Sequence, residues 1–304
     1  MSTEDVSKES NTQNDMTIVV TDSGLGGISI ATELYVQYQA YQPYDHARII
    51  FFNALFDEQG GYQMVDRFDQ KVAILNTALD GMLTYAPDLI LIACNTLSLL
   101  YPYTPFARKA LVPVIGIVEI GVDYILQKIG ADKEAVVMIL ATPVTIQDGM
   151  HKRLLAHHLP ANRIIEQAYP GLAHAIGDGA QAKTLRLIEE YTFQAIQKLD
   201  TNAQHVYASL QCTHFGYYQK EFEQAFRRHG LQNVEILNPN TALVNALLPV
   251  ARRISARPSH VTIEFVSKVR FHEQGMTSLI PFLRACSEDV VRAFMQYQYN
   301  PKLF

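Results

Sequence analysis

Short apolar runs rich in β-branched residues alternate with longer amphipathic stretches along most of this chain. The runs that predict buried strands are, in chain order, residues 17–20, 48–52, 88–93, 114–117, 135–140, 163–166 and 205–210. Apolar residues recur every three or four positions between them, most clearly over 68–82 and 184–199. This alternation predicts βαβ units, so we expect an α/β protein with mainly parallel sheets and helices on both faces.

The size and charge of the chain restrict its class. With 304 residues, 48% of them hydrophobic, it can build two ordinary domains. A net charge of −5 argues against a general nucleic-acid binder, which would carry a basic face. We find no uninterrupted apolar run of membrane-spanning length and no signal-peptide pattern, and we expect a soluble cytoplasmic protein. The polar residues 1–15 are expected to form a flexible N-terminal tail.

The number of cysteines predicts free thiols rather than a disulfide-linked scaffold, and the histidine spacing predicts no metal site. The three cysteines are Cys94, Cys212 and Cys286, and an odd number leaves at least one thiol unpaired. Cys286 lies in an amphipathic segment and is interpreted as a core residue. The histidines at 151, 157 and 158 share one helical stretch, but no spacing completes a zinc site, so no metal is expected.

A glycine-bearing segment follows the first predicted strand. Residues 21–27 read TDSGLGG, and glycines at a strand-to-helix turn allow an anion to approach the backbone N–H groups. The spacing lacks the third glycine of a dinucleotide fingerprint and the Lys-Ser/Thr pair of a P-loop. Two interpretations remain open for this segment, a ligand cradle and a plain turn in which Asp22 caps the helix.

Two further strand ends carry a cysteine followed by small polar residues. Residues 93–96 read ACNT, and residues 212–214 read CTH. Helix N-termini lower the pKa of a cysteine, and His214 is close enough in sequence to orient a thiol. Each segment alone is explained as well by a buried core cysteine or a structural histidine. A fourth segment, residues 141–145 (ATPVT), is explained by turn and capping chemistry.

Taken together and in this order, the four segments resemble those of the aspartate/glutamate racemase superfamily, and the glutamate racemase branch most of all. The resemblance covers about residues 16–253. It implies two pseudosymmetric three-layer α/β lobes with the substrate in the cleft between them. Residues 16–115 and 212–304 would form the first lobe, and residues 116–211 the second.

The resemblance also implies a reaction and its residues. The reaction is cofactor-independent racemisation of an amino acid, with Cys94 and Cys212 as the opposed acid/base pair. Asp22 would assist Cys94, and His214 would assist Cys212. The substrate-binding residues implied are Ser23, Tyr62, Asn95, Thr96, Thr142 and Thr213. L-glutamate to D-glutamate is the favoured conversion, as in the supply of peptidoglycan precursors, and a homodimer is left open.

Three positions depart from the family pattern. The Pro-Tyr-Gly-Ser loop after the second strand is represented by residues 61–64 (GYQM), which keep only Tyr62. Gly177, followed by Asp178, stands where a glutamate supports the catalytic histidine, and Asn238 stands where an aspartate is common. The bulk of the side chains at 63 and 64 leads us to expect a smaller or reshaped pocket.

Other functions stay open on the sequence alone. The substrate of the same reaction could be aspartate or another amino acid. A non-catalytic amino acid or dicarboxylate sensor on the same scaffold is the main rival from another class. A one-thiol decarboxylase or isomerase relative is disfavoured because both strand-end cysteines are present. A dinucleotide-dependent enzyme is the least supported alternative.

Overall fold

A computed structural model of the protein describes residues 15–58, 61–132, 134–200, 205–248 and 259–304. The strands are β1 (Asp15–Asp22), β2 (His46–Asn53), β3 (Leu89–Ile92), β4 (Val114–Gly116), β5 (Val136–Ala141), β6 (Ile164–Ala168), β7 (Val206–Gln211), β8 (Val234–Leu237), β9 (His260–Ser267) and β10 (Gln298–Tyr299). The predicted tail lies outside the described residues, except that Asp15 already belongs to β1.

Each strand from β1 to β9 is followed by one or two helices. They are α1 (Ile28–Tyr41), α2 (Phe68–Met82), α3 (Asn95–Leu100), α4 (Pro105–Lys109), α5 (Ile117–Ile129), α6 (Pro143–Asp148), α7 (Met150–Leu155), α8 (Leu172–Gly177), α9 (Gln181–Ile196), α10 (Gln219–Arg228), α11 (Pro239–Asn245), α12 (Glu273–Cys286) and α13 (Glu288–Met295). Within the described ranges, no helix is both long and apolar enough to cross a membrane.

The described strands form two sheets in which every pair is parallel. The larger has the order β10-β9-β2-β1-β3-β4, and the smaller has the order β6-β5-β7-β8. The predicted α/β class with parallel sheets is therefore confirmed. The continuous apolar strand sequences have a physical reason, because both faces of each sheet are covered and neither face needs polar residues.

Alternation along β1 shows how the two faces are filled. Ile18 and Val20 pack into one buried cluster, whereas Val19 between them packs into another on the opposite face. The first cluster also contains residues of the smaller sheet, such as Met138 and Leu140, so the two sheets share one core. Shared burial of this kind holds the carboxyl ends of the two sheets against each other.

One strand differs from the predicted division into lobes. β8 pairs in parallel with β7, so residues 234–237 belong to the smaller sheet, although everything after residue 211 was expected in the first lobe. That boundary is wrong for β8. β8 has only four residues, VEIL, with a glutamate at the second position, and it therefore carries no clear strand signal.

The C-terminal helices close one side of the larger sheet. α12 buries Leu279 and Leu283, as its amphipathic pattern predicts. Cys286, expected in the core, is instead exposed, because it is the last residue of the helix and lies beyond the packed turns. Near the start of the same helix, a Cβ on Gly275 would stand 2.1 Å from the carbonyl oxygen of Gly177, so α12 meets the end of α8 backbone to backbone.

The contact between α12 and α8 can be tested by Gly275→Ala. Alanine favours a helix over glycine by about 1 kcal/mol, so an unconstrained site would be stabilised. We expect destabilisation by about 1–3 kcal/mol, because the added Cβ forces the two helices apart. Urea unfolding measures the difference, and the exposed Thr277→Ala on the same helix is the control. Equal or higher stability of Gly275→Ala would contradict the observed packing.

Candidate active site

The two cysteines singled out in the sequence lie at the carboxyl ends of strands in different sheets. Cys94 follows β3 and precedes α3, and Cys212 follows β7 and precedes a 3-10 turn over Thr213–Tyr218. Both side chains are only 8% exposed. Parallel sheets place ligands at this edge, and here the edges of the two sheets face each other.

A buried hydrogen bond joins the two strand ends. Thr213 Oγ1 donates to Asp22 Oδ2 over 2.8 Å, and both residues are almost completely buried. Asp22 ends β1 of the larger sheet, whereas Thr213 follows β7 of the smaller sheet. This bond therefore sets the distance between the two halves of the site.

Glycine at position 26 permits that approach. A Cβ there would stand 2.2 Å from Thr213 Oγ1 and 2.7 Å from the backbone nitrogen of His214. A Cβ at Gly24 would meet the imidazole of His214 at 3.2 Å. The glycines of the first motif therefore leave room for the second cysteine motif. This close packing is a reason for glycine that neither the ligand-cradle interpretation nor the plain-turn interpretation included.

The Cys94 sulfur lies among polar neighbours that do not offset its burial. Ser23 Oγ stands 3.2 Å from Cys94 Sγ, and the backbone N–H groups of Ser23 and Leu97 also favour a thiolate. Burial and the negative charge of Asp22 outweigh them and raise the pKa of the Cys94 thiol to about 11. Without substrate, Cys94 is therefore a neutral thiol at pH 7.

The Cys212 thiol is held neutral even more strongly. Burial raises its pKa well above the ordinary range, and the charges of Cys94 and Asp22 act in the same direction. The backbone N–H groups of His214 and Phe215 oppose this increase. The Cys94 sulfur thus lies close enough to affect the ionisation of Cys212.

Asp22 carries the acidic group at the centre of the site. Burial raises the pKa of its carboxyl to about 6, although Thr213 and the backbone N–H groups of Gly24, Gly27 and Ser23 stabilise the charged form. Its contacts are therefore with the turn and with Thr213. Its effect on Cys94 is the electrostatic one already described.

Tyr62 is placed beside Cys94, as a substrate-site residue would be. It is 3% exposed, its hydroxyl has no hydrogen-bond partner, and burial together with the Cys94 sulfur raises its pKa. Gln63 and Met64 point outward, and Met64 is 70% exposed. The bulk at these two positions therefore lies outside the buried part of the site, contrary to the expectation of a smaller pocket.

His214 contacts Cys212 through its backbone rather than through its ring in this structure. The half-buried ring packs on Gly24 and Gly26, and burial together with His174 lowers the pKa of His214 to about 4. A Cβ on Gly177 would stand 3.7 Å from His214 Nε2, so Gly177 does occupy the place beside the histidine. Asp178 points away and pairs with His174 on the surface.

The remaining predicted binding residues differ in their burial and in the contacts that they make. Asn95 is 3% exposed beside Cys94, and Thr96 is half-buried in the first turn of α3. The hydroxyl of Thr142 caps α6 through the backbone N–H of Thr145, and it also pairs with the Thr145 hydroxyl. A substrate contact by Thr142 stays a prediction, since its observed role is local.

The sequence did not indicate a role in the site for two buried polar residues near the cysteines. Asn240 Nδ2 donates to the carbonyl oxygen of Thr213 at 3.0 Å and so supports the second cysteine motif. His151 Nε2 lies 3.1 Å from Asn95 Oδ1. Both are distant in sequence from the residues that they contact, and His151 was considered only as a metal ligand. Asn238, flagged as a departure, caps α11 by accepting from the backbone of Asn240.

Among the residues that the structure describes, no group of three or more histidine, cysteine, aspartate or glutamate side chains is arranged to hold a metal ion.

The raised pKa of Asp22 gives a stability prediction. Because its folded-state pKa of about 6 exceeds the ordinary 3.8, this carboxyl makes the native state less stable as pH rises from about 4 to 6. Asp22→Asn lacks this contribution. Its free energy of unfolding, minus that of the native protein, should rise across this window and then level off. Urea unfolding at several pH values measures this difference, and a falling difference would contradict the assignment.

The neutral thiols give a reactivity prediction. A pKa of about 11 for Cys94 instead of 9.0 leaves about a hundredfold less thiolate at pH 7.5. Iodoacetamide should therefore label the exposed Cys286 at least about tenfold faster than Cys94 or Cys212. Peptide mapping by mass spectrometry gives all three rates in one sample, with Cys286 as the internal reference. Faster labelling of either buried cysteine would show that the free protein holds a thiolate.

Comparison with known proteins places the chain in a family. The family model described as Asp/Glu/Hydantoin racemase matches residues 39–247. Glutamate racemase of Campylobacter jejuni is 30% identical over 210 residues, which cover 66% of this chain and 73% of the relative. Glutamate racemase of Helicobacter acinonychis is 27% identical over 223 residues, covering 70% of this chain and 78% of the relative.

Solved structures agree on the fold. The glutamate racemase structure from Campylobacter jejuni superposes with a TM-score of 0.64 at 22% identity, covering 90% of this chain and 100% of that one. The Francisella tularensis glutamate racemase, solved with D-glutamate, gives a TM-score of 0.61 at 19% identity, covering 87% and 94%. The chain therefore belongs to the Asp/Glu/hydantoin racemase family, and its enzyme class is that of an amino acid racemase.

Proposed function

We propose that this protein interconverts the enantiomers of an acidic amino acid, with L-glutamate to D-glutamate as the favoured conversion, and that Cys94 and Cys212 are its acid/base pair. The main support for this proposal is that two buried thiols, each following a strand of a different sheet, lie near each other, beside the Asp22–Thr213 hydrogen bond. This arrangement suits a substrate held between the sheets, with one sulfur on each face of its α-carbon.

Two opposed thiols meet the requirement of racemisation directly. The α-proton must leave one face of the substrate, and a proton must arrive at the other. In one direction Cys94 as thiolate removes the α-proton, and the Cys212 thiol donates its own proton to the opposite face. The reverse direction exchanges these roles, so each turnover leaves the proton on the other sulfur.

Substrate binding must activate the thiols, because both are neutral in the free protein. The α-ammonium of an amino acid brings a positive charge into the site. A positive charge near a buried thiol favours its ionised form and lowers its pKa. The carboxylate of Asp22 is the nearby group that attracts this ammonium, which is how we interpret its assistance to Cys94.

The carbanionic intermediate needs hydrogen-bond donors around the substrate carboxylate. The donors proposed from the sequence are Ser23, Asn95, Thr96 and Thr213, together with backbone N–H groups at helix starts. The hydroxyl hydrogen of Thr213 is already donated to Asp22, so we keep Ser23, Asn95, Thr96 and the backbone groups as the donors. Such preorganised donors stabilise charge as it develops. Ser23 beside the Cys94 sulfur and the unpartnered amide nitrogen of Asn95 support this assignment. His214, packed on Gly24 and next to Cys212, is proposed to assist the second thiol.

The choice of substrate rests on the relatives. The two sequence relatives described above are glutamate racemases, and the Francisella tularensis structure holds D-glutamate. We carry this substrate over to the chain, together with a role in supplying D-glutamate for peptidoglycan. Two reactive thiols also require a reducing compartment, and the proposal therefore places the enzyme in the cytoplasm.

The division into lobes is part of the same proposal. The larger sheet carries Asp22 and Cys94, and the smaller sheet carries Cys212. With β8 assigned to the second lobe, substrate would bind and leave by movement between the two sheets. Whether two copies associate stays a prediction.

The proposal predicts that Cys94→Ser and Cys212→Ser each lose racemisation of both enantiomers, by about 10²- to 10⁴-fold, because each thiol acts in both directions. Circular dichroism of L- and D-glutamate follows both directions separately. A panel of other L- and D-amino acids, aspartate included, tests the substrate.

Cys286→Ser is the matched control, since its exposed thiol lies outside the site and its activity should be unchanged. Full racemase activity in either Cys94→Ser or Cys212→Ser would overturn the two-thiol scheme. An unmodified protein that exchanges no α-proton of any amino acid would favour the sensor alternative.

A further inference from the structure

His151 occupies a buried position between the two cysteine motifs. The side chain is 1% exposed and comes from α7, on the side of the smaller sheet. Its Nε2 lies 3.1 Å from the side-chain oxygen of Asn95, the residue directly after Cys94. The side chain of Gln211, the residue directly before Cys212, lies near enough to raise the pKa of the ring, although neither His151 Nδ1 nor Gln211 Oε1 has a hydrogen-bond partner.

The protonation of the ring follows from its surroundings. Burial lowers the pKa of His151 to about 4, so the imidazole is neutral at physiological pH. A neutral ring has one N–H donor and one acceptor nitrogen. In the amide orientation of this structure the Asn95 atom 3.1 Å from Nε2 is its oxygen, so Nε2 carries the hydrogen and donates it to Asn95, while Nδ1 has no hydrogen-bond partner.

This bond determines which way the Asn95 amide faces. With its oxygen held by His151, the amide nitrogen Nδ2 is directed elsewhere, and it is buried with no hydrogen-bond partner in the protein. An unpaired buried donor costs free energy unless a ligand satisfies it. Its neighbour in sequence is Cys94, so the ligand that satisfies it would lie beside the proposed base.

We propose that His151 is a positioning residue, which holds the Asn95 amide so that its N–H groups face the cleft and bind the α-carboxylate of the substrate. This inference rests on the proposed racemase function and adds to it a residue outside the family's cysteine motifs. His151 does not touch the reacting atoms, and its role is exerted entirely through Asn95.

A second consequence concerns the coupling of the two motifs. His151 lies between the residue after one cysteine, which begins α3, and the residue before the other, which ends β7. The Asn95 donor is therefore placed relative to Cys212 as well as to Cys94. A substrate carboxylate held by Asn95 would then have a defined position between both sulfurs.

The variants that test this role are His151→Phe and His151→Gln. Phenylalanine keeps the ring and removes the donor, whereas glutamine can place an N–H near the position of Nε2. We expect His151→Phe to lower kcat by about 10- to 100-fold with a smaller change in KM, because charge on the carboxylate grows in the transition state. His151→Gln should recover most of that loss.

Two controls separate positioning from simple loss of packing. His157→Phe, on an exposed position just after α7, should leave activity unchanged. In an Asn95→Ala background, His151→Phe should cost little further activity, because the residue through which it acts is already gone. An equal loss in the Phe and Gln variants, or a full loss in the Asn95→Ala background, would overturn the inference.

A measurement on the unmodified protein covers the case in which the phenylalanine variant does not fold. Imidazole ¹⁵N chemical shifts, assigned by comparison with His151→Gln, show which ring nitrogen carries the hydrogen. The proposal requires the hydrogen on Nε2. A hydrogen on Nδ1 alone would mean that Asn95 donates to the ring and turns its oxygen to the cleft, which contradicts the proposal.

The outcomes distinguish the two proposals. If the unmodified protein racemises an amino acid but His151→Phe is fully active, the racemase proposal stands and the role of His151 is wrong. If the unmodified protein is inactive on the whole panel, the proposed function fails, and the role assigned to His151 fails with it.

Discussion

The site depends on one buried contact, the hydrogen bond from Thr213 to the carboxylate of Asp22. It joins the carboxyl ends of two strands that belong to separate sheets, and Gly26 leaves just enough room for it. Burial raises the pKa of the Asp22 carboxyl, although the hydrogen bond from Thr213 opposes this rise, and burial together with the charge of Asp22 raises the pKa of the Cys94 thiol. The burial that accompanies this contact therefore keeps both thiols neutral in the free protein.

At pH 7 both thiols and the histidine at 214 are neutral, and Asp22, with a pKa of about 6, is the charged group of this set. A zwitterionic amino acid would supply the missing charges. Its ammonium favours ionisation of a thiol, and its carboxylate satisfies donors such as the unpartnered amide of Asn95. In this account the substrate completes the electrostatics of the site, which explains how a chain without an obvious activated nucleophile can move a carbon-bound proton.

Much of the fold could be predicted because its strands are buried on both faces and read as apolar runs. The positions of both cysteines at strand ends followed from the same reasoning. β8 was missed because a strand of four residues with a glutamate at the second position carries no such signal, and its sheet was then assigned wrongly. The role proposed for His151 could not be predicted, since it depends on the proximity of Asn95, 56 residues earlier, and of Gln211. Periodicity describes local burial, but it does not show which distant polar groups meet.

The most direct test of two opposed thiols is the isotopic pattern of a single turnover. L-glutamate is incubated with the enzyme in D₂O, and both enantiomers are analysed by NMR while little product has formed. Two bases predict that the D-glutamate carries deuterium at its α-carbon, whereas the remaining L-glutamate keeps its hydrogen. Deuterium appearing equally in the remaining L-glutamate, or hydrogen retained in the product, would indicate a single base and contradict the account.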